Sequence, residues 1–86
     1  MTKSAALEYG SKNIRINCVC PGYTNSNLLD KLHSLDPSMR DKLLRYVPMK
    51  RYGETEEIAE AIIWLASDKS KFITGQSIII DGGISL

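Results

Sequence analysis

The residues best placed for chemistry follow a Pro-Gly pair at positions 21 and 22. Thr24 and Ser26 carry hydroxyls that both donate and accept hydrogen bonds, and they come directly after the alternating stretch 14–20. Pro21 and Gly22 favour a turn at the point where a strand stops. Ligands of open α/β sheets bind beyond the carboxyl ends of strands, so residues 21–26 predict one side of a ligand site.

The thiols and the imidazole offer a second kind of chemistry. Cys18 and Cys20 are the only cysteines, and His33 is the only histidine. Residues two apart on a strand share a face and rarely bridge to each other. Since a structural zinc site takes four ligands, the sequence predicts no metal site. It favours two small buried side chains in a reducing compartment.

A Tyr-x-x-x-Lys pattern occurs at Tyr46 and Lys50. This spacing is useful for catalysis when both residues share one helical face. Pro48 lies between them and interrupts the helical turn. The pattern therefore favours a tyrosine at a helix end and a solvated lysine.

Periodicity predicts the order α-β-α-α-α-β for the elements that position these residues. A helix ends at Gly10, Asp36 caps a helix whose first residue is Pro37, and glutamates open the longest helix. The predicted ranges are a helix over 1–9, a strand over 14–20, helices over 28–35, from 37 to a stop at Pro48, and from about 54, and a strand over 76–80.

A strand, a helical crossover and a second strand make one βαβ unit, which predicts parallel pairing and a right-handed connection. Pro21 has no N–H, so pairing is expected to end there. Ile63 and Trp64 widen the apolar stripe of the longest helix, which predicts burial on more than one side.

Composition excludes several classes of function. With 86 residues the chain forms one domain at most, and its net charge of +1 gives no electrostatic case for nucleic acid or membrane. No apolar run reaches membrane-spanning length, and no signal peptide is expected. These features predict a cytoplasmic protein.

The order and spacing of four short motifs resemble the C-terminal part of the short-chain dehydrogenase/reductase family, and the resemblance covers essentially the whole chain. The motifs are residues 2–10 (TKSAALEYG), 14–22 (IRINCVCPG), 51–59 (RYGETEEIA), and 74–76 (TGQ) with 81–83 (DGG). The resemblance implies an α/β fold, the C-terminal portion of a Rossmann-like doubly wound sheet with two parallel strands plus helices. Residues 1–86 would be the C-terminal segment of an NAD(P)-binding domain without its N-terminal cofactor half.

The resemblance also implies hydride transfer between NAD or NADP and an alcohol/carbonyl pair. Its cofactor residues carry over as Pro21 and Gly22, which match the turn against the nicotinamide, and as Thr24 and Ser26. Thr24 would offer backbone groups to the carboxamide, and Ser26 stands where the family usually has Thr. Loop and helix-cap duty remains the alternative for both hydroxyl residues.

The family's glycine-rich turn and its catalytic Tyr-x-x-x-Lys are not in these 86 residues, so no catalytic residue is assigned. One hypothesis is therefore a truncated oxidoreductase that binds cofactor weakly or not at all and is inactive alone. A second is a non-catalytic module that forms homo-oligomers or docks onto a full-length relative. A third is a poorly folding product without a function of its own.

Overall fold

The computed structural model describes all 86 residues, and its elements follow the predicted order. Two short 3₁₀ turns, Gly10–Lys12 and Asp68–Ser70, follow the first and the last helix. The helices and strands are α1 (Thr2–Tyr9), β1 (Cys18–Pro21), α2 (Asn27–Leu35), α3 (Met39–Leu44), α4 (Thr55–Ala66) and β2 (Ser77–Ile80).

The two strands pair in parallel, as predicted, with Cys18 opposite Ser77 and Pro21 opposite Ile80. Pairing does not stop before Pro21, because the Gly22 N–H donates to the Ile80 carbonyl at 2.9 Å. Peptide groups alternate between the two edges of a strand. The missing N–H of Pro21 therefore lies on the edge of β1 that faces away from β2, and the proline removes no bond from this ladder.

The strand begins four residues later than predicted, at Cys18 instead of Ile14. Over the first part of the alternating stretch one backbone bond, from the Gly75 N–H to the Ile16 carbonyl at 2.8 Å, is supplemented by side-chain bonds. The Ile16 N–H donates to the Thr74 hydroxyl at 3.1 Å, and the Gln76 N–H donates to Asn17 Oδ1 at 3.1 Å. The Arg15 guanidinium donates to backbone carbonyls at the end of the crossover. Polar side chains thus hold this segment against the chain without a strand.

The prediction that Asp36 caps a helix beginning at Pro37 is wrong by two residues, because α3 begins at Met39. Asp36 Oδ1 accepts from both the N–H and the hydroxyl of Ser38, at 3.0 and 2.6 Å, which makes a local turn. At the start of the longest helix the Glu57 side chain accepts from the Glu54 N–H at 3.0 Å, while the Glu57 N–H donates to the Glu54 carbonyl at 3.0 Å.

Burial is sparse. Only seven residues are buried, and the predicted burial of α4 on more than one side is wrong: Ile63 is 68% exposed and Trp64 is 44% exposed. The cysteines are not buried either, since Cys18 is half-buried and Cys20 is exposed. The radius of gyration is 16.1 Å, against about 12 Å for a compact chain of this length. The sheet and α4 therefore present apolar surface that the 86 residues do not cover.

Candidate functional site

The loop after β1, residues 21–26, is fastened to the start of α4. The Gly53 N–H donates to the Tyr23 carbonyl and the Asn25 N–H donates to the Gly53 carbonyl, both at 2.9 Å. The Asn25 amide also donates to Glu54 Oε1 at 2.6 Å. These bonds fix the backbone on both sides of Thr24, so the loop that the sequence singled out has a defined shape.

Thr24 has unused backbone groups at the carboxyl edge of the sheet. It is half-buried, and its hydroxyl donates to the Gly22 carbonyl at 3.1 Å. In the bridge to Gly53 the bonds are made by Tyr23 and Asn25, while the N–H and C=O of Thr24 bond to no group of the chain. A donor and an acceptor on one residue match the two hydrogen-bonding groups of a primary carboxamide.

Ser26 serves as a helix cap. Its hydroxyl oxygen accepts from the Leu29 N–H at 3.3 Å at the N-terminus of α2. The alternative stated for this residue, helix-cap duty, is therefore present in the structure. The hydroxyl proton is not used by this bond, so Ser26 keeps one donor.

Gly22 is required by a close approach of the two strand ends. A Cβ at this position would lie 2.6 Å from Asp81 Cβ and 2.8 Å from Asp81 Cα. Asp81 in turn accepts from the Gly83 N–H at 2.9 Å and from the Ser85 N–H at 3.1 Å. These bonds lower the pKa of the Asp81 carboxyl, chiefly through Gly83. In the sequence Asp81 was named only as part of the 81–83 motif, and its contact with Gly22 is a consequence of the parallel register.

Tyr52 contacts both α2 and α3, and no pattern in the sequence singled it out. Tyr52 is 2% exposed, and its hydroxyl lies 2.8 Å from Nε2 of His33 on α2. The Arg40 guanidinium of α3 lies 5.0 Å from the centre of the Tyr52 ring. Burial raises the pKa of the Tyr52 phenol. Nineteen residues separate the bonded pair, so no spacing rule could have found it.

As predicted, Tyr46 and Lys50 do not share a helical face, but the helix expected to run to Pro48 ends earlier and leaves Tyr46 two residues beyond it. Helix α3 ends at Leu44, and Lys50 has a φ of 56°, in the left-handed region. The Lys50 ammonium donates to the carbonyls of Leu44 and Arg45, at 3.4 and 2.9 Å. This lysine therefore satisfies the carboxyl end of α3 instead of activating a tyrosine.

No group of three or more His, Cys, Asp or Glu side chains is arranged to hold a metal ion. None of the helices has both the length and the hydropathy needed to cross a bilayer. With the free N–H and C=O of Thr24, the 21–26 loop can bind and orient a polar group. The loop contains no acid–base pair of its own.

The comparisons with known proteins agree with this fold. A family model described as enoyl-(acyl carrier protein) reductase matches residues 1–85. The chain is 44% identical over 84 residues to the 3-oxoacyl-(acyl-carrier-protein) reductase FabG of Chlamydia trachomatis, covering 98% of this chain and 33% of that protein. It is 38% identical over 86 residues to an A-factor type gamma-butyrolactone 1'-reductase of Streptomyces virginiae, covering 100% of this chain and 34% of that protein.

Solved structures match equally well. A 4-hydroxyisoleucine dehydrogenase in complex with NADH superposes with a TM-score of 0.90 at 31% identity, over 98% of this chain and 34% of that one. A protein from Agrobacterium tumefaciens, provisionally named a 2-deoxy-d-gluconate 3-dehydrogenase and solved with bound NADP, gives 0.90 at 32% identity over 98% and 34%.

Fold and loop together define a segment of a Rossmann-type α/β domain, with its candidate ligand site at the carboxyl ends of parallel strands. The chain belongs to the short-chain dehydrogenase/reductase family. It spans about one-third of the length of the curated relatives that it matches.

Proposed function

We propose that this chain supplies the nicotinamide end of the cofactor site of an NAD(P)-dependent oxidoreductase that acts on an alcohol/carbonyl pair. The observation that carries the proposal is the free N–H and C=O pair of Thr24 on a loop fixed at both sides. The relatives are reductases, and the matching dehydrogenase structures are described with NADH or NADP.

In this proposal the Thr24 peptide groups hold the nicotinamide carboxamide, and the Ser26 hydroxyl keeps a proton to donate beside it. Pro21 and Gly22 would form the backbone beside the nicotinamide ring. When bound, NAD(P) supplies or accepts the hydride. The chain's own contribution is to bind and orient the carboxamide. The contacts of Tyr52 with His33 and Arg40 stabilise the helices that follow the loop.

We further propose that the 86 residues alone are a truncated form that binds cofactor weakly and catalyses nothing. The sequence has no Gly-x-Gly-x-x-Gly turn for a pyrophosphate and no Tyr-x-x-x-Lys on a helix. Turnover by the purified chain, measured as hydride transfer after rigorous removal of full-length reductases, would contradict this part of the proposal.

Amide chemical shifts during a titration with nicotinamide mononucleotide test the site itself. We expect weak binding, with the largest shifts at Thr24 and Ser26. Thr24→Ala keeps the peptide N–H and retains the shifts, whereas Thr24→Pro removes the N–H and loses them. The bonds between Gly53 and its two loop partners serve as the folding control. Shifts elsewhere, or equal behaviour of both variants, would contradict the assignment.

A second candidate is a non-catalytic module that forms homo-oligomers or docks onto a full-length relative. The accessible surface of 6558 Å² exceeds that of a compact monomer of this mass by about 1,500 Å², about twice the area of about 800 Å² that one partner buries in a specific interface of standard size. Exposed Ile62, Ile63 and Trp64 on α4 supply its apolar part. Sedimentation equilibrium decides, because a folded monomer at high concentration would exclude self-association.

A cytoplasmic location is also part of the proposal. Both cysteines are free thiols, which is the usual state of cysteine in a reducing compartment. Fractionation of cells that express the tagged protein tests this location, and recovery from an oxidising compartment would contradict it.

A further inference from the structure

The loop after β1 carries a side-chain bond to the start of α4 that the proposed function leaves without a role. Nδ2 of Asn25 donates to Oε1 of Glu54 at 2.6 Å. The acceptor is a carboxylate, and a bond this short to an ionised group is of the strong, charge-assisted kind. It joins the residue directly after Thr24 to the residue directly after Gly53.

The free groups of Thr24 owe their direction to Gly53. The two peptide units that flank Thr24 each direct one group at Gly53, because the Tyr23 carbonyl accepts from its N–H and the Asn25 N–H donates to its carbonyl. In a planar trans peptide the N–H and the C=O point in opposite directions. The N–H and the C=O of Thr24 therefore both point away from Gly53, and any rotation of the loop about Gly53 redirects them together.

Glu54 is itself tied to the first turn of α4. Its backbone N–H donates to Oε1 of Glu57 at 3.0 Å. The Glu57 carboxylate is gripped by the Arg51 guanidinium through two bonds of 2.7 and 3.0 Å. The backbone from which the Glu54 side chain reaches Asn25 is thus anchored on both sides of Gly53.

We propose that Glu54 is a positioning residue for the nicotinamide carboxamide and acts through the side-chain amide of Asn25. Two bonds to Gly53 define a line about which the loop can turn, and the bond between Asn25 and Glu54 adds a third point that stops this rotation. Glu54 touches no atom of the cofactor in this arrangement. The inference rests on the proposed function, in which the peptide groups of Thr24 hold the carboxamide.

The experiment repeats the titration of the 86-residue chain with nicotinamide mononucleotide in two variants. Asn25→Ala removes the side-chain donor and adds no charge. It should weaken binding by about 5-fold, measured from the initial slope of the Thr24 amide shift against nucleotide concentration. In the double variant Asn25→Asp, Glu54→Gln the amide and the carboxylate change places, so the bond and the net charge are both kept. This variant should recover the wild-type affinity within about 2-fold.

Glu56→Gln is the matched control, because it removes a charge from the same exposed turn of α4 and leaves the bond between Asn25 and Glu54 in place. Its affinity for the nucleotide should equal that of the wild type. Amide hydrogen exchange within α4 checks that each variant is folded. If Asn25→Ala does not fold, Asn25→Asp takes its place, since it removes the donor and sets two carboxylates against each other.

The outcomes separate the positioning role from the function on which it rests. If the wild type shifts at Thr24 and Asn25→Ala binds equally well, the role of Glu54 is overturned and the proposed function stands. A folded double variant that does not recover affinity, or a loss in Glu56→Gln as large as that in Asn25→Ala, also overturns the role. If the wild type shows no shift at Thr24, the proposed function fails and the positioning role fails with it.

Discussion

Replacing Gly22 with alanine tests the packing on which the candidate site depends. The new Cβ would lie 2.6 Å from Asp81 Cβ and 2.8 Å from Asp81 Cα, whereas carbon atoms in contact are normally about 3.5–4.0 Å apart. The atoms that must yield are backbone and Cβ, not the far end of a flexible side chain. The carboxyl ends of β1 and β2 therefore have to separate by about 1 Å to reach ordinary contact.

Overpacking of this kind costs about 1–3 kcal/mol. Alanine also restricts the unfolded chain, which returns about 0.4–1 kcal/mol. The two ranges combine to a net loss for Gly22→Ala of about 0–2.6 kcal/mol, with a central value of about 1.3 kcal/mol. For a domain of this size the central value lowers Tm by about 5–10 °C.

Gly10 provides the matched control. Its φ of −58° and ψ of −42° are right-handed helical values, and a Cβ there would meet nothing within 4 Å. Gly10→Ala should therefore stabilise the chain by about 0.4–1 kcal/mol through the unfolded state alone. Thermal and urea unfolding followed by circular dichroism measure both variants. If the Tm of Gly22→Ala equals or exceeds that of the wild type, the close contact with Asp81 does not require glycine at position 22.

Three further perturbations follow from the same contacts. Hydrogen bonding by Arg51, and next by the Glu54 backbone, lowers the pKa of Glu57 from 4.5 to about 2. A lowered pKa stabilises the folded state at pH values above the pKa of the unfolded chain, and this stabilisation is lost as the pH falls from 4.5 towards 2. Glu57→Gln should therefore flatten the dependence of Tm on pH in that window. Ser26→Ala removes the cap of α2 and should cost about 1 kcal/mol, seen as faster amide hydrogen exchange in α2, while Ser26→Thr should retain protection. Tyr52→Phe removes the 2.8 Å bond to the half-buried imidazole of His33, and it should lower the free energy of unfolding in urea by about 0.5–1.5 kcal/mol. The control Tyr46→Phe changes a residue that is 70% exposed and should leave the free energy of unfolding unchanged. Equal effects of the two variants would contradict the role given to Tyr52.

The sequence predicted element order well because short-range signals specify it. Alternation at β1 and the run of isoleucines at β2 give parallel strands, and the helical stripe with its acidic start gives α4. The start of β1 was misplaced because Asn17 and Thr74, distant in sequence, satisfy backbone groups that a ladder would otherwise use. Propensity contains no information about such long-range side-chain bonds.

The site was predictable in part. Position after a strand was enough to locate Thr24 and Ser26, whereas the contact of Gly22 with Asp81 depends on register between strands that are nearly sixty residues apart. Burial of α4 was mispredicted for a different reason. An apolar stripe reports that a face favours burial, and it does not report whether the surface that would cover Ile63 and Trp64 is present in the chain.

The position of Pro21 limits how a larger sheet can grow. The edge of β1 that faces away from β2 can accept another parallel strand as far as Cys20. At the next step the pyrrolidine ring offers no hydrogen to a neighbour. An added strand therefore finds no hydrogen-bond donor at Pro21, and its ladder with β1 has to stop beside residues 21–26. A single imino acid thus sets how far along this edge the sheet can be extended.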